Sequence, residues 1–270
     1  MTSRDLKQIM LDSAEAVDES DIDWIICYVS GISRSVINSG VELPDNVAKE
    51  ALMLLEQRNT GRPLAYILGS ASFFGRDFDV REGCLIPRPE TEELVELILK
   101  EVVAGKGLDI GTGSGAIAIT LMLENRNIKM KAVDISLDAL LIAKSNAINH
   151  NVSVEFVHSD LFSELKEDDK FDFIVSNPPY IRSEDVNFLS CDVKDYEPKL
   201  ALDGGVDGLD FYRKIIEQAP NYLNKDGKIF FEVGIGEAEE VKKLLAKDFK
   251  NITIVKDLEQ IDRMVMAKLK

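Results

Sequence analysis

A glycine-rich turn at residues 109–116, Asp109-Ile110-Gly111-Thr112-Gly113-Ser114-Gly115-Ala116, follows a predicted strand and opens a predicted helix. Glycine at such a turn allows sharp backbone changes and lets a ligand approach the main chain closely. The next predicted strand ends in Asp134, where a carboxylate can accept both hydroxyl groups of an adenosine ribose. The spacing between this segment, called the cofactor turn below, and the strand-end acid predicts a nucleotide-type cofactor.

Two classes of cofactor fit the cofactor turn. The turn satisfies the relaxed pattern G-x-G-x-x-A, so a nicotinamide dinucleotide has to be considered. However, Asp109 places negative charge where a pyrophosphate is unfavourable and where a ligand ammonium group is favourable. S-adenosyl-L-methionine carries both an ammonium group and an adenosine, and it therefore fits better. The predicted cofactor contacts are Asp109, Gly111, Thr112, Gly113, Ser114, Gly115 and Asp134.

A third acidic residue, Asp160, follows another predicted strand and is a candidate for the adenine end of the ligand. Either Leu161 or Phe162 would then line the adenine ring. The alternative is an ordinary loop with no ligand contact, and both interpretations stay open from the sequence.

Predicted helices and strands alternate from Thr91 to the end of the chain. The strands are at 107–110, 129–133, 154–157, 171–176, 228–233, 252–255 and 263–267, and the helices at 91–103, 115–123, 137–149, 208–223 and 236–247. This order predicts an α/β fold with a mostly parallel, doubly wound sheet and antiparallel pairing at its end. Ligands in such sheets lie at the carboxyl ends of the strands, which puts the cofactor turn, Asp134 and Asp160 at one edge.

A second motif, Asn177-Pro178-Pro179-Tyr180, follows the predicted strand 171–176 and is called the Asn-Pro-Pro-Tyr motif below. The side-chain carbonyl of Asn177 and the backbone carbonyl of Pro178 can accept both hydrogens of a planar –NH₂ group. Tyr180 offers a flat face for stacking. A stiff turn is the alternative. Because the motif and the cofactor turn are predicted at the same sheet edge, with Asn177 beside the cofactor, together they predict methyl transfer to a nitrogen atom.

The first seventy residues predict helices and contain no catalytic motif. Ser3 is a predicted N-cap of the first helix, Ser20 or Asp21 of the second, and Pro44 opens a third. The predicted organisation is therefore a helical domain at 1–70, a hairpin linker at 71–88 and the α/β domain at 89–270. The helical domain is either a packing module or a substrate-docking domain.

The composition argues against several classes of protein. The formal net charge is −16. A protein that binds nucleic acid normally carries a basic surface patch, so this charge argues against that class. The same charge favours a protein partner with a basic surface. The three cysteines are far apart, which predicts reduced thiols in a cytoplasmic protein and no metal site. No apolar stretch approaches the length of a membrane span.

Five segments together resemble the glutamine methyltransferases of peptide-chain release factors: residues 61–69, 85–92, 109–115, 177–181 and 196–209. The resemblance implies transfer of a methyl group from S-adenosyl-L-methionine to the side-chain amide nitrogen of the glutamine in the Gly-Gly-Gln loop, leaving S-adenosyl-L-homocysteine. It also implies a seven-stranded, doubly wound, Rossmann-like class I methyltransferase domain. A small N-terminal helical bundle would help to hold the release factor, and a β-hairpin linker would join this bundle to the methyltransferase domain. Residues 111–115, Asp134 and Leu161 would contact the cofactor, and residues 177–180 the glutamine.

Three alternative functions are compatible with parts of this sequence. A sister family methylates a glutamine of a large-subunit ribosomal protein, but Arg88 between two prolines, followed by Glu90-Thr91-Glu92, looks more like the release-factor branch. Methylation of the exocyclic amine of adenine or guanine in DNA or RNA is disfavoured by the acidic charge. A non-enzymatic binding scaffold is disfavoured because both motifs occur in one chain.

Overall fold

A computed structural model describes residues 1–270, and the chain separates into two compact units. The first unit comprises Met1–Ser70 with Ser190–Tyr196, and the second comprises Ala71–Leu189 with Glu197–Lys270. The predicted domain limits at residues 70 and 88 stay a prediction. No helix is long and apolar enough to cross a membrane.

The first unit is helical, as predicted, and its residues 1–70 contain two short helices that the sequence pattern did not indicate. Its helices are α1 (Ser3–Ser13), α2 (Glu19–Ser30), α3 (Arg34–Ile37), α4 (Asp45–Asn59) and α5 (Leu64–Leu68). Apolar side chains from four of these helices form a single buried cluster, which includes Leu6, Met10, Ile22, Ile25, Ile37, Ala51 and Leu55.

Both predicted N-caps near the start of the chain are wrong. Thr2 caps α1, because its hydroxyl oxygen accepts the N–H of Asp5 at 3.2 Å. Ser3 lies inside the helix, where its buried hydroxyl donates to the carbonyl of Ile37 at 2.6 Å. α2 begins at Glu19 with Asp18 in the cap position, two residues before the expected cap Ser20 and three before Asp21. Neighbouring polar residues are equally suited to capping, and tertiary contacts decide which one has the extended backbone of a cap.

The second unit contains a small hairpin and a seven-stranded sheet. The hairpin strands are β1 (Ser70–Phe73) and β2 (Arg76–Asp79), within the predicted linker. The sheet strands are β3 (Gly105–Ile110), β4 (Ile128–Asp134), β5 (Glu155–His158), β6 (Phe171–Ser176), β7 (Leu223–Glu232), β8 (Phe249–Lys256) and β9 (Asp262–Leu269). The helices are α6 (Pro89–Glu101), α7 (Ala116–Glu124), α8 (Leu137–Asn149), α10 (Asp210–Tyr222) and α11 (Ala238–Leu245), and the short α9 (Cys191–Lys194) belongs to the first unit.

The strand order in the sheet is β5-β4-β3-β6-β7-β9-β8. The first five strands are parallel, and β9 pairs antiparallel with both β7 and β8. The chain runs outward from β3 to β5 and then returns to the other side of β3 with β6. The prediction of a doubly wound parallel sheet with antiparallel pairing at its end is therefore confirmed.

The two faces of the sheet are covered by different helices. Phe173 and Val175 of β6 lie in one buried cluster and Ile174 lies in the other, because successive side chains along a strand point to opposite faces. Leu94 of α6 and Ala118 of α7 lie in one cluster, together with Phe73 and Phe78 of the hairpin. Tyr212 and Val241, from α10 and α11, lie in the other. This packing holds the carboxyl ends of β3, β4, β6 and β7 at one rigid edge.

Candidate active site

A cavity of about 330 Å³ opens at the carboxyl ends of the parallel strands. Most of the residues predicted from sequence line it, namely Gly111, Thr112, Gly113, Ser114, Asp134, Asp160, Leu161, Asn177, Pro178 and Pro179. Three predicted residues, Asp109, Gly115 and Tyr180, lie outside its lining. The structure therefore brings the cofactor turn and the Asn-Pro-Pro-Tyr motif together around one space.

The glycines of the cofactor turn have different roles. Gly111 has a φ of 72°, and a Cβ atom added there would meet no atom within 4 Å, so its main chain is open to a ligand in the cavity. Gly115 has a φ of 81°, and an added Cβ would lie 2.9 Å from Cδ1 of Ile119 and 3.2 Å from Cβ of Ala143. Gly115 is therefore required for packing of α7, whereas Gly111 leaves room for a ligand.

Asp109 is fully buried directly behind the cofactor turn. Its Oδ2 accepts the hydroxyl of Thr112 at 2.7 Å, and its Oδ1 has no hydrogen-bond partner. Burial raises the pKa of this carboxyl to about 7, with a smaller opposing effect of the Thr112 hydrogen bond. A buried carboxylate oxygen without a partner is costly unless a donor reaches it. Since Asp109 lies outside the cavity lining, its contact with a ligand ammonium group stays a prediction.

Asp134 joins the end of β4 to the cofactor turn. Its Oδ2 accepts the N–H of Gly113 and its Oδ1 accepts the N–H of Ser136, each at 2.8 Å. Burial raises the pKa of this carboxyl above its usual value, against the lowering effect of these two N–H groups. Each carboxylate oxygen has a second lone pair, so Asp134 can still accept hydroxyl groups from a ligand in the cavity.

The loop after β5 distinguishes the two residues proposed for the adenine ring. Leu161 lines the cavity and has a φ of 52°, which is unusual for a residue with a Cβ. Phe162 is 1% exposed and stacks on Tyr222 with ring centroids 4.8 Å apart. Phe162 therefore belongs to the core, and Leu161 is the side chain available to a ligand. The exposed side chain of Asp160 also borders the cavity.

The Asn-Pro-Pro-Tyr motif leaves β6 and borders the opposite side of the cavity. Asn177 Nδ2 donates to Thr91 Oγ1 at 3.2 Å, and the Thr91 hydroxyl in turn donates to Glu232 Oε2 at 2.7 Å. Tyr180 packs against the core cluster that contains Tyr212, and burial raises the pKa of its phenol to about 12. The expected stacking face of Tyr180 is therefore turned to the core, and its contact with a substrate stays a prediction.

The segment 202–208 supports the backbone of the Asn-Pro-Pro-Tyr motif. Ile181 N–H donates to the Leu202 carbonyl at 3.0 Å, and Gly204 N–H donates to the Ile181 carbonyl at 2.7 Å. A Cβ added at Gly204 would lie 2.7 Å from both the Pro179 oxygen and the Tyr180 Cα, so no other residue fits there without displacing the motif. Sequence reasoning had included this segment only through the resemblance.

Several residues at the cavity were missed by sequence reasoning. They are Cys84, Arg88, Thr91, Ile135, Phe211 and Lys214, which line it, and Glu232, which contacts Thr91 behind it. Arg88 forms an ion pair with the buried Glu197. The sequence predicts Thr91 as the start of a helix and as part of a segment that carries the resemblance, but its hydroxyl contact depends on a residue 141 positions away. The strand-end position of Glu232 was the only signal that could have indicated it.

Neither histidine lines the cavity. His150 Nε2 lies 3.0 Å from the carbonyl of Asp77, and His158 Nε2 lies 2.9 Å from the carbonyl of Ile135. No cluster of three or more His, Cys, Asp or Glu side chains could hold a metal ion.

Sequence comparisons identify relatives over nearly the whole chain. Residues 4–69 match the family described as PrmC N-terminal domain, and residues 89–191 match the family described as Methyltransferase small domain. The release factor glutamine methyltransferase of Bacillus cereus is 42% identical over 263 residues, covering 93% of each chain. The enzyme of the same name from Staphylococcus aureus is 35% identical and covers 96% of each chain.

Solved structures share the fold of the second unit. A methyltransferase from Pyrococcus furiosus aligns with a TM-score of 0.56 at 20% identity, covering 73% of this chain and 90% of its own. The 16S rRNA N2 G1207 methyltransferase of Thermus thermophilus, solved with AdoMet and guanosine, aligns with a TM-score of 0.55 at 19% identity, covering 74% of this chain and 50% of its own. These neighbours confirm the Rossmann-like methyltransferase fold.

Proposed function

The chain belongs to the release factor glutamine methyltransferase family, and on that basis we propose that it methylates the side-chain amide nitrogen of the glutamine in the Gly-Gly-Gln loop of peptide-chain release factors. The observation that carries this proposal is the single cavity bordered by both the cofactor turn and the Asn-Pro-Pro-Tyr motif. A donor and an acceptor nitrogen can therefore meet there without a change of fold.

The residues of the cofactor turn fit S-adenosyl-L-methionine. The unpartnered Oδ1 of Asp109 suits the ammonium group, the open main chain at Gly111 suits the amino-acid part, and Asp134 suits the ribose hydroxyls. Leu161 and Asp160 border the space left for the adenine. When bound, S-adenosyl-L-methionine supplies an electrophilic methyl group and leaves as S-adenosyl-L-homocysteine.

The Asn-Pro-Pro-Tyr motif acts on the nucleophile. An amide nitrogen is a poor nucleophile because its lone pair is delocalised into the carbonyl group. Oδ1 of Asn177 and the carbonyl oxygen of Pro178 accept the two N–H groups of the substrate amide, which returns electron density to nitrogen and fixes its direction. Orientation of this kind supplies on the order of 7–11 kcal/mol in the best model reactions. With no histidine at the cavity, the proton of the methylated amide passes to water.

The helical residues 1–70 and the acidic charge provide the rest of the recognition. We assign residues 1–70 to docking of the release factor, residues 71–88 to the linker and residues 89–270 to catalysis. The net charge of −16 favours approach of a protein with a basic surface and disfavours nucleic acid as the direct substrate. We propose a cytoplasmic location for the protein, because release factors act there.

Incubation with labelled S-adenosyl-L-methionine tests the proposal. Purified release factor, the large ribosomal subunit, RNA and DNA are offered separately, and the label on each is counted. Label on the release factor, absent when its loop glutamine is replaced, supports the proposal. Label confined to ribosomal protein or nucleic acid would overturn it.

The variant Asn177→Ala should lower kcat/KM for the release factor by about 100-fold or more, by analogy with loss of one preorganised polar group in an active site. Its affinity for S-adenosyl-L-homocysteine, measured by calorimetry, should change by only a few-fold, since most of the predicted cofactor contacts are elsewhere. Asn221→Ala is the matched control, because Asn221 is an exposed residue of α10 away from the cavity. Equal activity of both variants would contradict the role of Asn177.

A further inference from the structure

Asn177 and Glu232 are neighbours because of the register of two parallel strands. Ser176 of β6 pairs with Phe231 of β7. The residues that follow them are Asn177, just after β6, and Glu232, at the end of β7, and they therefore lie at the same sheet edge. Thr91, in the first turn of α6, places its hydroxyl within hydrogen-bond distance of both side chains, 3.2 Å from Asn177 Nδ2 and 2.7 Å from Glu232 Oε2.

The direction of this hydrogen-bond chain is determined by its chemistry. An ionised carboxylate only accepts, so the single hydroxyl hydrogen of Thr91 must point to Glu232. The Thr91 oxygen can then only accept, and the –NH₂ group of Asn177 is the one part of that side chain able to donate. The side-chain carbonyl oxygen of Asn177 is left free of this contact.

We propose that Thr91 and Glu232 are positioning residues that orient the Asn177 amide, so that its carbonyl oxygen and not its –NH₂ group is presented to the substrate amide. This inference rests on the proposed function of Asn177 as an acceptor. If the Asn177 amide were rotated by 180°, its –NH₂ group would face the –NH₂ group of the substrate amide. The substrate nitrogen would then lose one of its two hydrogen-bond acceptors.

The surroundings of Glu232 favour this role over a purely structural one. Glu232 is 2% exposed and Thr91 5% exposed, and Glu232 forms no ion pair. A buried carboxylate without a countercharge costs folding free energy, which an apolar residue would avoid. The nearest cation, Arg263, is paired with Asp257.

Protonation of Glu232 removes the directional constraint. A carboxylic acid can donate to Thr91, whose hydroxyl could then donate to the carbonyl oxygen of Asn177 and reverse the amide. The groups facing Glu232 are Arg263, which favours ionisation, Glu90, which opposes it, and the neutral phenols of Tyr180 and Tyr212. Burial has the largest effect and raises the pKa of Glu232 to about 7.

The chain offers a closely matched set of variants. Thr91→Val removes the hydroxyl and keeps the shape, Thr91→Ser keeps the hydroxyl, and Glu232→Gln replaces the obligatory acceptor by a group that can also donate. Thr120→Val is the control, because Thr120 is a buried threonine of α7 whose hydroxyl has no partner. Thr120 is also absent from the lining of the cavity.

The expected result is a loss in kcat with little change in KM. Thr91→Val should lower kcat for release-factor methylation by about 10- to 100-fold, which corresponds to one unsatisfied polar contact. Thr91→Ser should recover most of that loss, and Thr120→Val should match wild type. At saturating cofactor, kcat of wild type should rise with pH through about 7, and Glu232→Gln should lose this rise.

A second readout needs no cofactor or substrate. The side-chain –NH₂ hydrogens of Asn177, followed by nuclear magnetic resonance, should exchange with water faster in Thr91→Val and Glu232→Gln than in wild type or Thr120→Val. If Thr91→Val does not fold, kcat and the exchange rate are both measured with Glu232→Gln. Wild-type kcat and exchange rates in both Thr91→Val and Glu232→Gln would overturn the inference. A wild-type protein that labels no glutamine would instead overturn the proposed function, while the exchange measurement would still report the orientation of Asn177.

Discussion

Under the proposed binding mode, the buried carboxyl group of Asp109 links cofactor binding to pH. Its pKa is raised to about 7 mainly by burial, and its Oδ1 lacks a partner until a donor arrives. Only the ionised form provides a full countercharge for a ligand ammonium group. Asp109 is therefore a residue at which protonation and ligand binding compete.

The affinity for S-adenosyl-L-homocysteine should rise by about tenfold between pH 6 and pH 8, as linkage to one carboxyl group with a pKa near 7 requires. Isothermal titration calorimetry over this range measures it. Asp109→Asn should bind more weakly at pH 8 and show a flat profile. A flat wild-type profile would mean that Asp109 does not titrate against the ligand.

At the scale of single residues, sequence reasoning identified the cavity lining on the cofactor side well. The glycine pattern and the acid at the end of a strand are local signals, and residues 111–114 and Asp134 do line the cavity. Thr91 and Glu232 were missed because their contact joins a helix start to a distant strand end. The pairing register of β6 and β7 places Glu232 beside Asn177, and the start of α6 brings Thr91 to both.

At the scale of elements, the loop 202–208 supports the backbone of the Asn-Pro-Pro-Tyr motif. The bridge between Ile181 and Asp203 runs parallel, and the main chain of Gly204 packs directly on that of Pro179 and Tyr180. A side chain at residue 204 must displace this backbone, because the blocking atoms are main-chain atoms with no freedom to rotate away.

Gly204→Ala should therefore reduce methyl transfer by about tenfold or more, as expected when a positioned group moves by a fraction of an ångström. Binding of S-adenosyl-L-homocysteine should be retained, since the cofactor turn is not touched. Gly40→Ala is the control, because an added Cβ there meets no atom within 4 Å although its φ of 76° disfavours alanine. Wild-type activity of Gly204→Ala would show that the motif tolerates displacement.

The predicted helices and strands agree with the structure where the hydrophobic pattern extends along the whole element. α8 and β6 have the predicted limits, Leu137–Asn149 and Phe171–Ser176. α3 and α5 were missed because four or five residues do not complete a periodic pattern. β7 begins at Leu223, five residues before the predicted start at 228. The polar run 224–227 resembles a turn, and it interrupts the register with β6 as an irregularity in which Asp226 has a φ of 62°.

At the scale of the whole molecule, buried carboxyl groups make stability depend on pH. Burial raises the pKa values of Asp109, Glu232 and Glu237 to about 7 each. Since these values lie above those of the unfolded chain, their contribution to stability is complete below about pH 4 and is lost as the pH rises through 7. Self-repulsion at a net charge of −16 acts in the same direction.

A different group limits stability in acid. Burial disfavours the ionised form of Asp169, but hydrogen bonds from Lys131 and Lys106 outweigh it and hold the pKa at about 2. The stability that this carboxylate contributes is present above about pH 4 and is lost as the pH falls through 2.

The melting temperature of the ligand-free protein should therefore be highest near pH 4–5 and fall steadily to pH 8, as these shifts require. Differential scanning calorimetry across this range measures the profile. The double variant Asp109→Asn with Glu232→Gln should flatten the fall between about pH 5 and 8. A melting temperature that rises from pH 5 to 8 would contradict the assignment of these groups.

The most direct test of the central claim is to locate the transferred methyl group atom by atom. Release factor is methylated by the wild-type protein, digested and sequenced by tandem mass spectrometry, with Asn177→Ala treated in parallel. We expect a single methyl group on the side-chain amide nitrogen of the glutamine in the Gly-Gly-Gln loop, and almost none with the variant. A methyl group on any other residue, or equal transfer by Asn177→Ala, would contradict the account.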